Sequence, residues 1–89
     1  MNKSPKFSEK LSSNKVSDKS LILINDDYNT FDHVVDCLES LCDHNSLQAE
    51  QCALLTHYKG SCQVLVGRQA DLELVRNDLA LYGLNVKIT

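Results

Sequence analysis

The stretch LILINDDYNTFD, residues 21–32, decides the fold of the chain. Its apolar residues 21–24 indicate a strand in the centre of a sheet. Asn25, Asp26 and Asp27 follow directly, and the helical spacing of apolar residues after them predicts that the chain turns into an amphipathic helix. The strand end therefore carries a cluster of hydrogen-bond acceptors with about two negative charges at neutral pH. Such a cluster favours a cation, which could be a metal ion, a Lys or Arg of a partner, or an α-amino group.

Apolar periodicity predicts the remaining elements and gives the order βααβαβ. The predicted helices cover residues 30–43, 46–57 and 69–82, and the later strands cover residues 61–67 and 84–88. Asn29 is predicted to cap the first helix and Gly83 to end the third. Helical spacing places Leu55 on the inner side of the second helix. Strand alternation makes Cys62, Val64 and Val66 face one way and Gln63 and Leu65 the other. We therefore expect an α+β fold, with a three-stranded, mostly antiparallel sheet and three helices packed on one face.

Length and composition limit the chain of 89 residues to one domain. Residues 1–20 are polar and are expected to form a disordered N-terminal extension, either a tail without function or an arm that reaches a partner. Residues 21–89 are expected to form the folded domain. The net charge of -3 disfavours non-specific binding of nucleic acid. No apolar run approaches the roughly 18 residues of a membrane span and no signal-peptide pattern is visible, so a cytoplasmic protein is expected.

The four cysteines include no Cys-x-x-Cys pair and mostly fall on apolar positions, which favours buried free thiols. His33 and Cys37 lie four residues apart and could supply two zinc ligands, but nothing in the sequence completes such a site. Asp26, His57 and a cysteine could form a hydrolytic set, yet no glycine-rich oxyanion loop or nucleophile elbow is present. We expect no metal, no cofactor and no enzymatic activity.

Four segments together resemble the ClpS family, the adaptors of the ATP-dependent Clp protease. They are LILINDDY at residues 21–28, Val34-Val35, AEQ at residues 49–51 and THYKG at residues 56–60. The resemblance covers residues 21–88 and implies a fold similar to the carboxyl-terminal domain of a ribosomal stalk protein. It also implies a bacterial adaptor that binds N-degron substrates, whose first residue is Leu, Phe, Tyr or Trp. The adaptor would deliver them to an AAA+ unfoldase of the ClpA or ClpC type.

The resemblance also implies a site with two parts. Its α-amino-binding part comprises Asn25, Asp26, Asp27 and His57, and its side-chain pocket comprises Asn29, Phe31, Val34, Ala53, Thr56 and Leu84. The chemistry is compatible, because a protonated α-amino group brings a positive charge and three N–H donors to these acceptors. Other roles remain open from the residues alone: Asp27 could cap the turn, Asn29 could cap the helix, and His57 could be structural.

Some positions depart from the pattern of the family. Phe31 and Ala53 stand where Met is common, so one side chain takes up pocket volume and the other releases it. Phe31 is the candidate for a gate that excludes β-branched first residues. Residues 68–73 lack a Lys that usually helps to hold the unfoldase. The alternative function is a small protein-interaction domain of the same fold that does not recognise chain ends.

Overall fold

A computed structural model describes residues 18–89. The elements are β1 (Asp18–Ile24), α1 (Phe31–Leu41), α2 (Ser46–Lys59), β2 (Ser61–Arg68), α3 (Gln69–Leu81) and β3 (Val86–Ile88). The sheet has the order β2-β1-β3, and both neighbours of β1 run antiparallel to it. The predicted element order, the central position of the first strand and the α+β class are confirmed. Within residues 18–89, no helix has the length and apolar character needed to cross a membrane.

The first strand begins at Asp18, three residues before its predicted start. Asp18 lies opposite Arg68, and the backbone of Ser20 exchanges hydrogen bonds of 3.0 and 2.9 Å with Thr89. Ladder hydrogen bonds hold these polar residues in the sheet, which a pattern of apolar residues does not reveal. The predicted boundary after residue 20 therefore moves to Asp18, and the disorder predicted for the preceding residues lies outside the described part of the chain.

One face of the sheet packs against the helices. Leu21 and Leu23 are buried, whereas Ile22 and Ile24 between and after them are partly exposed. Val86 and Ile88 of β3 lie opposite these two leucines and pack against the same core. The helices contribute buried residues that include Val35, Leu38, Ala49, Cys52, Leu72 and Leu79. The inward residues of the central strand thus organise the core on one face of the sheet.

A β-bulge in β2 changes the predicted alternation of that strand. Leu21 pairs with Leu65 and Ile22 pairs with Gln63, so Val64 is the extra residue. Val64 is buried, and Leu65 packs against the core. Val66 is consequently turned outward and is 54% exposed. The prediction that Val66 faces the same way as Val64 is wrong, because strict alternation does not allow for an inserted residue.

The helix ends show which polar residues act as caps. Thr30, and not Asn29, is the N-cap of α1, because its Oγ1 accepts a 3.1 Å hydrogen bond from the His33 N–H. Asn45 forms a capping box with Gln48 at the start of α2. Gly83, at φ 87°, follows α3 as predicted for a residue in the left-handed conformation.

Two further predictions need correction. Leu55 of α2 is 43% exposed, because the buried face of this helix consists of Ala49, Cys52, Ala53 and Thr56. Leu84 precedes β3 instead of beginning it, and its backbone N–H bonds to the Leu79 carbonyl 3.1 Å away. Its side chain is nevertheless buried.

Candidate functional site

A cavity of about 450 Å³ opens where β1 ends. Its walls come from the loop after β1, the start of α1, the last two turns of α2 and the residue Leu84. All ten residues of the predicted site line it: Asn25, Asp26, Asp27, Asn29, Phe31, Val34, Ala53, Thr56, His57 and Leu84. The structure therefore brings the predicted amino-binding and side-chain-binding residues into one cavity. Their roles in binding remain predictions.

Sequence reasoning missed three residues of the cavity wall, namely Leu23, Ile24 and Leu54. Leu23 and Ile24 were assigned only to the sheet, although residues at the end of a strand can also line a cavity formed by the loop that follows. Leu54 lies outside the buried face of α2 and is 45% exposed, so helical periodicity gives no reason to place it at a site. Its position next to the predicted Ala53 was the available signal.

Backbone hydrogen bonds hold the end of β1 beside α2. The Ile24 N–H donates to the Asn85 carbonyl at 2.8 Å, and the Asn25 N–H donates to the Gly60 carbonyl at 2.9 Å. Gly60 is the C-cap of α2 and has φ 95°, a conformation that glycine adopts without a steric cost. Because His57 lies one turn before Gly60, these bonds place the acidic loop next to the histidine.

The Asp26 carboxylate organises the loop after β1. Its Oδ1 accepts hydrogen bonds from the backbone N–H groups of Tyr28 and Asn29, each at 2.9 Å, and its Oδ2 accepts one from Asn29 Nδ2 at 2.7 Å. Burial acts to raise the pKa of Asp26, but the hydrogen bonds from Asn29 and Tyr28 outweigh it and lower the pKa below its ordinary value. A carboxylate offers about four acceptor positions, so one remains for a ligand.

Asn29 links this loop to the turn after α3. Its Nδ2 also donates to the Gly83 carbonyl at 2.9 Å. The side chain is therefore not a helix cap, and instead it fixes Asp26 on one side and the residue before Leu84 on the other. Leu84 is a wall of the cavity, so Asn29 connects the polar and apolar parts of the site.

The mouth of the cavity is rich in acceptors. Asp27 and His57 are exposed there, and the His57 ring packs edge-on against Tyr58 with 5.0 Å between the ring centroids. The carboxyl end of α2 adds the negative end of a helix dipole. Together with Asp26, these groups make the mouth favourable for a positively charged group.

The interior of the cavity is mostly apolar. Val34, Ala53 and Leu84 contribute only hydrocarbon, and the Thr56 hydroxyl donates to the Cys52 carbonyl of its own helix at 2.9 Å. Phe31 lines the cavity from the first residue of α1 and is 43% exposed. A charged group at the mouth and an apolar group inside can thus be bound together.

Residues 18–89 bring together neither the ligands of a zinc site nor the Asp, His and Cys of a hydrolytic site. His33 Nε2 lies 2.8 Å from the Tyr82 carbonyl oxygen, to which it donates, and Cys37 Sγ lies 3.7 Å from the same nitrogen. Among residues 18–89, no three His, Cys, Asp or Glu side chains are grouped so that they could hold a metal ion. No cysteine lines the cavity that contains Asp26 and His57.

The cysteines mainly belong to the core. Cys37, Cys42 and Cys52 are buried and Cys62 is partly exposed, and all four are free thiols. Burial, with a smaller contribution from Cys37, raises the pKa of Cys42 to about 11. The prediction of buried free thiols is confirmed for three of the four.

Comparisons with known proteins identify the family to which the chain belongs. Residues 14–86 match the family model described as the ATP-dependent Clp protease adaptor protein ClpS. The ATP-dependent Clp protease adapter protein ClpS of Thermosynechococcus vestitus is 37% identical over 67 residues, which are 74% of this chain and 71% of that protein. The structure of Agrobacterium tumefaciens ClpS2 bound to L-phenylalaninamide has a TM-score of 0.79, at 19% identity, over 82% of this chain and 95% of that chain. The structural likeness supports the fold, and the family match decides the assignment: the chain belongs to the ClpS family of ATP-dependent Clp protease adaptors.

Proposed function

We propose that this protein binds N-degron substrates through their free α-amino group and bulky hydrophobic first residue. It then delivers them to a Clp-family AAA+ unfoldase of the ClpA or ClpC type. The observation that carries the proposal is the single cavity in which an acceptor-rich mouth adjoins an apolar interior. A ligand with an ammonium group and an apolar side chain on one carbon fits that arrangement. L-phenylalaninamide, bound by the A. tumefaciens relative, is such a molecule.

The α-amino group binds at the mouth of the cavity. It titrates at a pH of about 7.7–8.0, so a large fraction is protonated at neutral pH. The Asn25 side-chain carbonyl, the remaining acceptor position of Asp26 and a ring nitrogen of His57 accept its three N–H donors. Asp27 adds negative charge at the rim. An acetylated amine loses the charge and two donors, so the site selects true chain ends.

The first side chain enters the apolar interior. Leu, Phe, Tyr and Trp gain most from leaving water, because burial stabilises by about 25 cal/mol per Å² of apolar surface. Val34, Ala53 and Leu84 provide that surface. Phe31 restricts the mouth and excludes β-branched first residues, which are wide next to the backbone.

Delivery to an unfoldase follows from the family, whose members are adaptors and not enzymes; the prediction of a non-enzymatic protein is confirmed. Residues 68–73, at the start of α3, include Asp71 and Glu73 but no lysine, so the unfoldase contacts in this region differ from the common pattern. The choice between ClpA-type and ClpC-type unfoldases rests on those contacts.

The first test is fluorescence anisotropy with two labelled peptides that both begin with Leu, one with a free and one with an acetylated amino end. We expect only the free peptide to bind. An Asp26→Asn variant should weaken this binding at least tenfold, since a charged hydrogen bond contributes roughly 1.5–3 kcal/mol. Asp36→Asn, which removes an exposed charge outside the cavity, is the matched control and should bind normally. Equal binding of both peptides, or of neither, would favour an interaction domain that does not recognise chain ends.

A further inference from the structure

The exposed face of α3 carries an alternation of acidic and apolar side chains. Asp71, Leu74, Asp78 and Leu81 follow one another at spacings of three, four and three residues, which places them on one stripe of the helix. All four are exposed, Leu74 by 68% and Leu81 by 82%. We call these four residues the α3 stripe. Such leucines flanked by carboxylates suit a basic partner with apolar side chains.

The charge of the chain is divided unevenly along the sequence. Residues 1–17 hold four Lys and one Glu, a net charge of +3, whereas residues 18–89 hold five Lys or Arg and eleven Asp or Glu, a net charge of -6. The larger apolar side chains of the first segment stand next to its charges, in Lys6-Phe7 and Lys10-Leu11. The amino-terminal segment therefore has the chemistry that complements the α3 stripe.

The attachment point of this segment lies beside the helix. Asp18, the first residue of β1, pairs with Arg68, which is the N-cap of α3. Leu11 lies seven positions before Asp18, and at about 3.3 Å per position this stretch spans up to roughly 23 Å. The 13 residues of α3 are about 20 Å long. The segment can thus reach both leucines of the stripe.

We propose that residues 1–17 bind the α3 stripe of the same molecule. Lys6 and Lys10 pair with the carboxylates of the stripe, and Phe7 and Leu11 cover its two leucines. Tethering gives the segment a local concentration in the millimolar range, so weak contacts suffice for substantial occupancy. The proposal uses no residue of the cavity, so it can be tested separately from the proposed binding of chain ends.

The test compares ¹H–¹⁵N correlation spectra of the full chain and a Lys6→Glu/Lys10→Glu variant. We expect the amide signals of residues 71–82 to move in the variant, and to move in the same direction when salt is raised from about 20 to 500 mM, since salt screens exposed charges. Lys59→Glu/Lys87→Glu makes the same change of net charge at exposed sites on other elements, and should leave residues 71–82 unmoved. Unmoved signals of residues 71–82 in the Lys6→Glu/Lys10→Glu variant would overturn the proposal.

A second variant tests the apolar half of the contact. Leu74→Asp/Leu81→Asp changes exposed residues, so the fold should persist, and the amide signals of residues 4–16 should then move toward those seen at high salt. The shifts must be independent of protein concentration between about 20 and 500 μM. Shifts that grow with concentration would mean that a second copy occupies the stripe, which would contradict binding within one molecule.

Discussion

At the scale of single residues, Asp26 shows how a carboxylate can remain charged while it shapes a loop. Three N–H groups already donate to it, and this is the reason for its lowered pKa. The charge is present before any ligand arrives, so under the proposed function an incoming ammonium group would meet a fixed partner. The energetic cost of ordering the acceptors is met during folding and is not repeated on binding.

The pH dependence of binding should reveal this preset charge. Affinity for a peptide with a free amino-terminal Leu should fall above about pH 8, as the amine loses its proton. The ratio of wild-type affinity to Asp26→Asn affinity isolates the contribution of the Asp26 charge, because every other titrating group is present in both proteins. Because the hydrogen bonds from Asn29 and Tyr28 lower the pKa of Asp26, that ratio should begin to fall only at a lower pH than it would for an ordinary aspartate. A ratio that declines between pH 6 and 4.5 would show that the pKa is raised instead. Fluorescence-anisotropy titrations of both proteins at each pH measure the affinity ratio.

Asn29 should be a positioning residue for Asp26. Asn29→Ala removes two side-chain hydrogen bonds, one of them to the carboxylate, and should lower the free energy of unfolding by about 1–3 kcal/mol. It should also raise the pKa of Asp26, which NMR titration of the carboxyl carbon detects. Thr30→Ala, which removes the true N-cap of α1, should cost about 1 kcal/mol without moving that pKa. Similar pKa values of Asp26 in both variants would exclude the positioning role.

At the scale of elements, the sequence predicts what is local and periodic. The order βααβαβ follows from apolar spacing, whereas the ten residues predicted for the site come from the resemblance to the ClpS family. Several of the corrections involve partners that are distant in sequence. Ser20 joins the sheet through Thr89, and Val66 turns outward because β2 has one residue more than its partner. Asn29 reaches Gly83 across 54 positions, which no local pattern indicates.

The small side chain of Ala53 should determine which first residues of a peptide fit into the cavity beside α2. Ala53→Met adds volume to a buried wall position, and overfilling such a position costs about 1–3 kcal/mol. Affinity for peptides that begin with Phe or Trp should therefore fall roughly tenfold or more, with a smaller loss for Leu. Leu55→Met on the same helix lies outside the cavity and should leave all three affinities unchanged. If Ala53→Met binds aromatic and Leu peptides as the parent does, Ala53 has no part in binding.

At the scale of the whole molecule, the 72 described residues share one hydrophobic core, and part of that core also forms a wall of the cavity. Leu23, Ala53 and Leu84 belong to both, so residues that sequence patterns assign to packing also shape the site. This double use explains why Leu23 could not be recognised as a cavity residue from its apolar neighbours. It also means that measurements of core integrity must accompany every binding measurement.

The thiols provide such a measurement. Cys37, Cys42 and Cys52 are buried, and with its pKa raised to about 11 Cys42 would be ionised only to about one part in a thousand at pH 8. In the native protein, a chromogenic disulfide reagent at pH 8 should therefore react rapidly only with the partly exposed Cys62. Cys62→Ser should abolish the rapid phase, and all remaining thiols should react together once guanidinium unfolds the chain. A second rapid thiol in the folded protein would mean that the core opens around α1 or α2. If that thiol is Cys52 of α2, the results for Ala53→Met would have to be read as effects on folding.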